Sequence, residues 1–425
     1  MIESKEHVAD WELERLMDVV AHPYRDWRHD HPDLRAFGYL CTYAPVEILH
    51  AAGFAPIRLM QLSGPVALAN AHLPSFACAP ARAVTERLLS GQLDFLEGAL
   101  FGHTCDTMQC MADIWRTTAP RFKVISFSMP TVLSQPSARG YLITELHHLA
   151  AVLESEFGTP VTDRALRASI EIYNHQRSLL AQIYGYRACF TAEQLWALTL
   201  AGTLTPVEEH CAFMEPLLQT AREAVCVEGD GLAVVLIGAV LDDPVIPQLV
   251  EELGGRVVGD DLCTGSRYFH TLADETMEPF EALADRYLRR APCPAKLNTA
   301  YPRTERLLSL VRDSGAQGVI FLVPKFCDPH AFDYVALSEI QVPHLLIETD
   351  VTVSLGQLRT RIQAFIEMLQ GAGTPSVRRS SPQSCRPETG RATTVSPRLR
   401  DARDEEMLRE DERQAPRLRD RGSVV

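Results

Sequence analysis

The chain has 425 residues, 46% of them hydrophobic and 23% charged, and a formal net charge of −14. Its length is too great for one ordinary core, so two or three domains are expected, and its acidity argues against nucleic acid and anionic membrane surfaces as partners. No apolar run approaches the roughly 20 residues that span a bilayer, and the acidic start MIESKEHVAD lacks the apolar segment of a secretion signal. A cytoplasmic protein is expected, and its eleven cysteines are then not a disulfide framework but buried thiols, metal ligands or nucleophiles.

In chain order, residues 1–140 read as an N-terminal helix followed by a first α/β domain. The stretch 10–20 is amphipathic. PVEILHAAG has Pro45 at a helix start and Gly53 at its stop. Short apolar runs at 54–60, 96–101 and 124–127 alternate with helical stretches at 81–90 and 112–117, the pattern of a parallel sheet. Residues 141–225 read as a helical connector, rich in Leu, Ala, Glu, Arg and Gln. Residues 226–370 read as a second α/β domain. LAVVLIGAVL, RVVGDDL, GVIFLVPKFCDPH and PHLLIETD are short, apolar and β-branched at their centres, as buried parallel strands are, and a helix over 355–369 closes the fold. Residues 371–425 hold twelve Arg, nine acids, no Lys and no aromatic residue, and read as a disordered tail. Its surplus of three positive charges leaves about −17 on the body. No Gly-x-Gly-x-x-Gly or Walker A motif is present, so the strand–helix turns carry no nucleotide fingerprint.

In open α/β sheets, ligands bind beyond the carboxyl ends of the strands. That rule selects four cysteines: Cys105 in FGHTCDT, Cys327 in VPKFCDPH, Cys263 in DDLCTG, and Cys78 in the loop LPSFACAPAR before a helix. No Cys-x-x-Cys pair occurs, against a zinc ribbon or a ferredoxin-type run. Three thiols meeting from separate loops would leave a metal centre one ligand short, which is the mark of a catalytic site.

The blocks GYLCTYAPVEILHAAGFAPIRL (38–59), HTCDTMQCMADIW (103–115), VVGDDLCTGSRYF (257–269), CPAK (293–296), GVIFLVPKFCDPHAFDY (318–334) and PHLLIETDVTVSLGQLRTRIQAFIEML (343–369) resemble the 2-hydroxyacyl-CoA dehydratase D-component family, which includes benzoyl-CoA reductase subunits. The resemblance implies two Rossmann-like parallel-sheet domains with helical additions. It also implies a [4Fe-4S] cluster held by Cys78, Cys105 and Cys327, with Cys110 or Cys41 as the substitute for Cys78 and Cys263 left to packing. The implied activity is that of a hydro-lyase acting on a 2-hydroxyacyl-CoA. One electron, delivered by a separate ATP-hydrolysing iron–sulfur activator, makes a ketyl radical that expels the hydroxyl and acidifies the β-proton; the electron then returns. An acyl-CoA substrate and a paralogous large subunit, forming a heterodimer, complete the expected partners. The alternatives are a benzoyl-CoA reductase subunit and a non-catalytic cluster-binding partner.

Further positions carry two readings each. Glu47 and His50 share a helix face. Glu47 is taken as the catalytic candidate, a base or substrate contact, against a capping carboxylate, and His50 against a surface histidine. His103 and His330 flank the proposed ligands, as partners of the sulfurs or as loop histidines. Lys325 offsets cluster charge or is a solvated loop lysine. Arg359 and Arg361 bind phosphate or pair with acids.

Overall fold

The computed structural model describes residues 10–61, 64–227, 229–352 and 354–371, all within one contact-defined unit that spans 1–374. Eight strands form two sheets. The first holds β1 (Arg35–Leu40), β2 (Phe54–Arg58), β3 (Gly98–His103) and β4 (Lys123–Ser128), in the order β2-β1-β3-β4. The second holds β5 (Leu232–Gly238), β6 (Gly255–Asp261), β7 (Gly318–Pro324) and β8 (His344–Thr349), in the order β6-β5-β7-β8. All pairings are parallel. The α/β class with two parallel sheets expected from the sequence is therefore the observed one.

The strands follow from burial. Every residue of β2 and β7 is buried, and such strands need apolar or β-branched side chains on both faces. β1, which the sequence pattern did not mark, lies centrally between β2 and β3. Gly38 interrupts its apolar run, because an added Cβ there would meet Leu59 and Leu96 side chains at 3.0 Å. At the end of β5 a Cβ on Gly238 would run into the Leu322 carbonyl of β7, so that register requires glycine.

The helices Ala138–Phe157, Asp163–Gly185, Ala192–Ala201 and Val207–Glu223 occupy the stretch expected to be helical. Thr162 caps the second, and Thr191 with Gln194 forms a capping box on the third. The second and fourth pack together, which brings Cys189 and Cys226 to a Cα separation of 5.1 Å, and the two are joined as a disulfide. This corrects the expectation that no disulfide forms; the pairing depends on helix packing and leaves no local sequence signal.

One apolar core runs from the first sheet through these helices to the second, and a smaller one covers the other face of the second sheet. Polar ties join the two sheets as well. Arg58, at the end of β2, makes a buried bidentate pair with Asp242 beyond β5, at 2.6 and 3.2 Å. The Gln61 amide donates to the same carboxylate at 2.7 Å. Segment 131–133 pairs with Leu297 through the bonds Leu133 N to Leu297 O and Leu297 N to Thr131 O. Among the described residues no helix is long and apolar enough to cross a membrane. Helix Leu355–Gly371 ends the described chain, so the disordered tail expected over 371–425 lies outside the described residues apart from Gly371.

Candidate active site

Each sheet reverses its strand order once, between β1 and β3 and between β5 and β7. Crevices at such points are where open α/β sheets take ligands. Cys105 follows β3 and Cys327 follows β7, so the two thiols hold equivalent places in the two sheets. Cys78 comes from the loop between β2 and β3.

A shared local geometry links the three. Cys78 is the N-cap of helix Ala79–Leu89, Cys105 of Asp106–Thr118 and Cys327 of Asp328–Leu337. Each thiol thus stands over unpaired N–H groups at the positive end of a helix, where an anion is favoured. Pro80 and Pro329, in the first turns of two of these helices, suit positions whose N–H has no intrahelical partner. Before Cys327, Phe326 adopts a left-handed φ of 62°, a strained conformation of the kind found at functional turns.

All three cysteines line one cavity of about 690 Å³. His103, Asp106, Lys296, Asp328 and Asp333 line it too, as do the rings of Phe326 and Phe332. Burial raises the Cys78 thiol, with the amides of Ala81 and of Cys78 itself opposing. Burial pushes Cys105 up to about 11 against the amides of Met108 and Thr107, with the Cys78 and Cys41 thiols adding to the rise. Cys327 is pushed up to about 12 by burial, against the amide of His330; Cys78, Cys105 and Cys263 add to it. Ala81, Met108 and His330 each lie three residues beyond their cysteine, so the same helix turn acts on each sulfur. The pocket is a set of neutral thiols that electropositive helix ends prepare for deprotonation, which metal binding would drive.

Among the described residues, no three His, Cys, Asp or Glu side chains stand close enough to hold a single metal ion. A cubane presents its irons at separate corners, so its thiolates need not crowd one point. Three sulfurs around one cavity, each facing a helix N-terminus, fit that donor set.

A sequence model of the 2-hydroxyglutaryl-CoA dehydratase D-component matches residues 41–369. The chain belongs to this family. Within the dehydratase D-component family its similarity extends to the beta subunit of a lactoyl-CoA dehydratase of Anaerotignum propionicum, 30% identical over 84% of this chain and 98% of the relative. An (R)-phenyllactyl-CoA dehydratase beta subunit of Clostridium sporogenes is 27% identical over 83% and 97%. A benzoyl-CoA reductase subunit of Thauera aromatica is 29% identical over 76% and 87%.

Other residues of the D-component blocks are placed as follows. Glu47 is fully buried and does not line the cavity. Its Oε1 accepts from Arg177 Nη2 at 2.6 Å and lies 3.9 Å from Arg286 Nη1; Oε2 accepts from the Tyr287 hydroxyl at 3.4 Å. Burial opposes its charge, but the Arg177 and Arg286 guanidiniums outweigh burial and hold the carboxyl below its usual value. This arrangement makes Glu47 a tie between the first sheet's helix Val46–Ala51 and the helices Asp163–Gly185 and Pro279–Arg289. His50 contacts Ser169 at 2.6 Å and Glu208 at 3.0 Å.

His330 is buried with Nδ1 3.3 Å from the Cys327 sulfur, as a sulfur partner would be. His103 contacts the Ser128 hydroxyl at 3.2 Å. Lys325 is half-exposed and 3.8 Å from Asp350. Arg359 pairs with Glu252, and Arg361 donates to the Leu346 carbonyl at 2.6 Å. Cys110 is exposed, and neither it nor Cys41 lines the cavity. Cys263 is buried against Cys293, whose sulfur lowers its pKa, with Arg267, Arg290 and Arg58 acting the same way.

Sequence reasoning missed two features. One is Lys296 on the cavity wall, inside the CPAK block. The other is the N-cap placement of all three cysteines, for which Cys-x-Pro at 78–80 and 327–329 was a readable sign.

Proposed function

We propose that the chain is the iron–sulfur catalytic subunit of a 2-hydroxyacyl-CoA dehydratase, a cytoplasmic hydro-lyase that removes water through a ketyl radical after one-electron injection from an ATP-dependent activator. The observation that carries this is the convergence of Cys78, Cys105 and Cys327, each a helix N-cap, on one cavity beyond the strand ends. These three thiolates would hold a [4Fe-4S] cluster. A cluster held by these three cysteines would supply Lewis acidity and low-potential electron transfer.

The chain's own residues do the rest. Three helix ends favour the thiolate forms of the ligands. His330 fixes the orientation of Cys327. A partner subunit covering the open cavity would keep bulk water from the acyl group, which would protect a radical from side reactions.

A paralogous large subunit is the proposed partner in a heterodimer. Support for a covering partner comes from the cavity rim, where Phe326 and Phe332 are 45% and 77% exposed, and from Phe76 beside Cys78, 69% exposed. The similarity to a benzoyl-CoA reductase subunit keeps reductive dearomatisation as the second reading. A non-catalytic cluster-binding subunit is the third.

The test is anaerobic purification of the chain with its partner, followed by iron and sulfide analysis and assay with lactoyl-CoA, phenyllactyl-CoA and benzoyl-CoA. About four irons and four sulfides per chain, with dehydration of a 2-hydroxyacyl-CoA, support the proposal. Absence of iron after reconstitution refutes the cluster. Reduction of benzoyl-CoA without dehydration replaces the first reading by the second, and a cluster whose loss leaves dehydration intact replaces it by the third.

A further inference from the structure

Lys296 is 5% exposed and lies on the wall of the cysteine cavity. Its segment is held in place by the Leu297 pairing with 131–133, which carries the lysine inward. The ammonium has three N–H groups. One donates to the Met129 carbonyl at 3.1 Å. Among the described residues no carboxylate pairs with it, although Asp106, Asp328 and Asp333 line the same cavity. Asp333 is taken by Arg303, at 2.7 and 2.8 Å.

A buried ammonium without a counter-ion is costly, and a fold retains one where an anion arrives. Burial lowers its pKa; the groups that act in favour of its charge are the thiols of Cys41, Cys293 and Cys105. Among the described residues no other lysine and no arginine lines the cavity, so Lys296 is the strong cation of its wall.

The geometry points to Lys296 as a catalytic residue that receives the oxygen of the bound acyl thioester. With one N–H held by Met129, a second donates to the carbonyl oxygen. That bond strengthens as negative charge collects on the oxygen in a one-electron-reduced thioester, the behaviour of an oxyanion-hole donor. No proton or electron passes to the lysine. This inference rests on the dehydratase reading above, because it needs a thioester in the cavity.

The experiment compares wild-type, Lys296→Gln and Lys296→Arg chains, each assembled with the partner subunit and activator. Three quantities are read: kcat and KM with lactoyl-CoA and phenyllactyl-CoA, iron content with the cluster's reduction potential, and the Kd of free CoA. Glutamine removes the charge and keeps a polar side chain, and the segment stays placed by the backbone pairing of Leu297 with 131–133. The expected result is a fall in kcat of about 10²-fold in K296Q, with partial recovery in K296R. Iron content, potential and free-CoA affinity should stay at wild-type values.

Less than a threefold change in kcat overturns the inference. So does a loss of iron or a shifted potential in K296Q, because the lysine would then serve the thiolates and not the substrate. A wild-type enzyme inactive on both hydroxyacyl thioesters overturns the dehydratase reading and this assignment with it, an outcome distinct from inactivity confined to the variants.

Discussion

Glu47 was a catalytic candidate in the sequence and is a buried tie in the structure, and one substitution separates the two roles. Glu47→Gln keeps the shape of the side chain and removes its charge. Arg177 and Arg286, 1% and 2% exposed, then lie without the carboxylate between them. Breaking a buried pair by removing one partner costs roughly 3–5 kcal/mol. Unfolding entropy of roughly 2.1 cal/mol/K per residue, over the roughly 360 described residues, gives about 0.8 kcal/mol/K. A cost of about 4 kcal/mol therefore lowers Tm by about 5 °C.

The pH dependence has a definite sign. The folded carboxyl titrates below its usual value. Its contribution is thus fully present above the unfolded value of about 4.3 and is lost as pH falls through the folded value. Calorimetric or circular-dichroism melts taken downward from about pH 7 through the unfolded value should show wild type losing stability more steeply than E47Q once the pH is below that value. Iron content should be unchanged. A variant that melts within a degree of wild type but has lost turnover would refute the reasoning and restore Glu47 as a base.

Further outcomes follow from the other sites. Serine at Cys78, Cys105 or Cys327 should each cut iron per chain sharply, whereas serine at exposed Cys110 or buried Cys211 should not, as read by anaerobic iron analysis. Asp242→Asn should cost about 3 kcal/mol or more, because it leaves the buried Arg58 guanidinium charged and without its counter-ion; denaturant melts measure it. Peptide mapping without reductant should recover a Cys189–Cys226 cross-link, and reducing it should cost about 4 kcal/mol, since it closes a loop of sequence separation 37.

The strands with continuous β-branched runs, β5 and β7 above all, were visible in the sequence because burial on both faces leaves its mark residue by residue. β1 was not, since a glycine packed closely against the Leu59 and Leu96 side chains interrupts its apolar run, and close packing against distant residues has no local pattern. Cys105 and Cys327 were legible as thiols at strand ends because the turns there follow the chain directly, and Cys78 as a thiol in the loop before a helix. Their meeting on one cavity is seen in the structure. Glu47 shows the same limit: its first-turn position is readable in sequence, but the guanidiniums that enclose it arrive from residues 177 and 286. Lys296 was hidden because its burial depends on a pairing between 131–133 and Leu297, segments far apart in the chain.

The N-cap placement of the three cysteines also bears on how such a site can change. Serine is among the best helix caps. A chain that exchanged any of these sulfurs for a hydroxyl would keep, and even firm up, the helix that begins there. The positions proposed to hold iron are thus nearly neutral for the scaffold. A lineage could lose or regain the chemistry one position at a time while its fold stayed intact, so a related chain with the same architecture but serines at these caps would be a folded protein without this site.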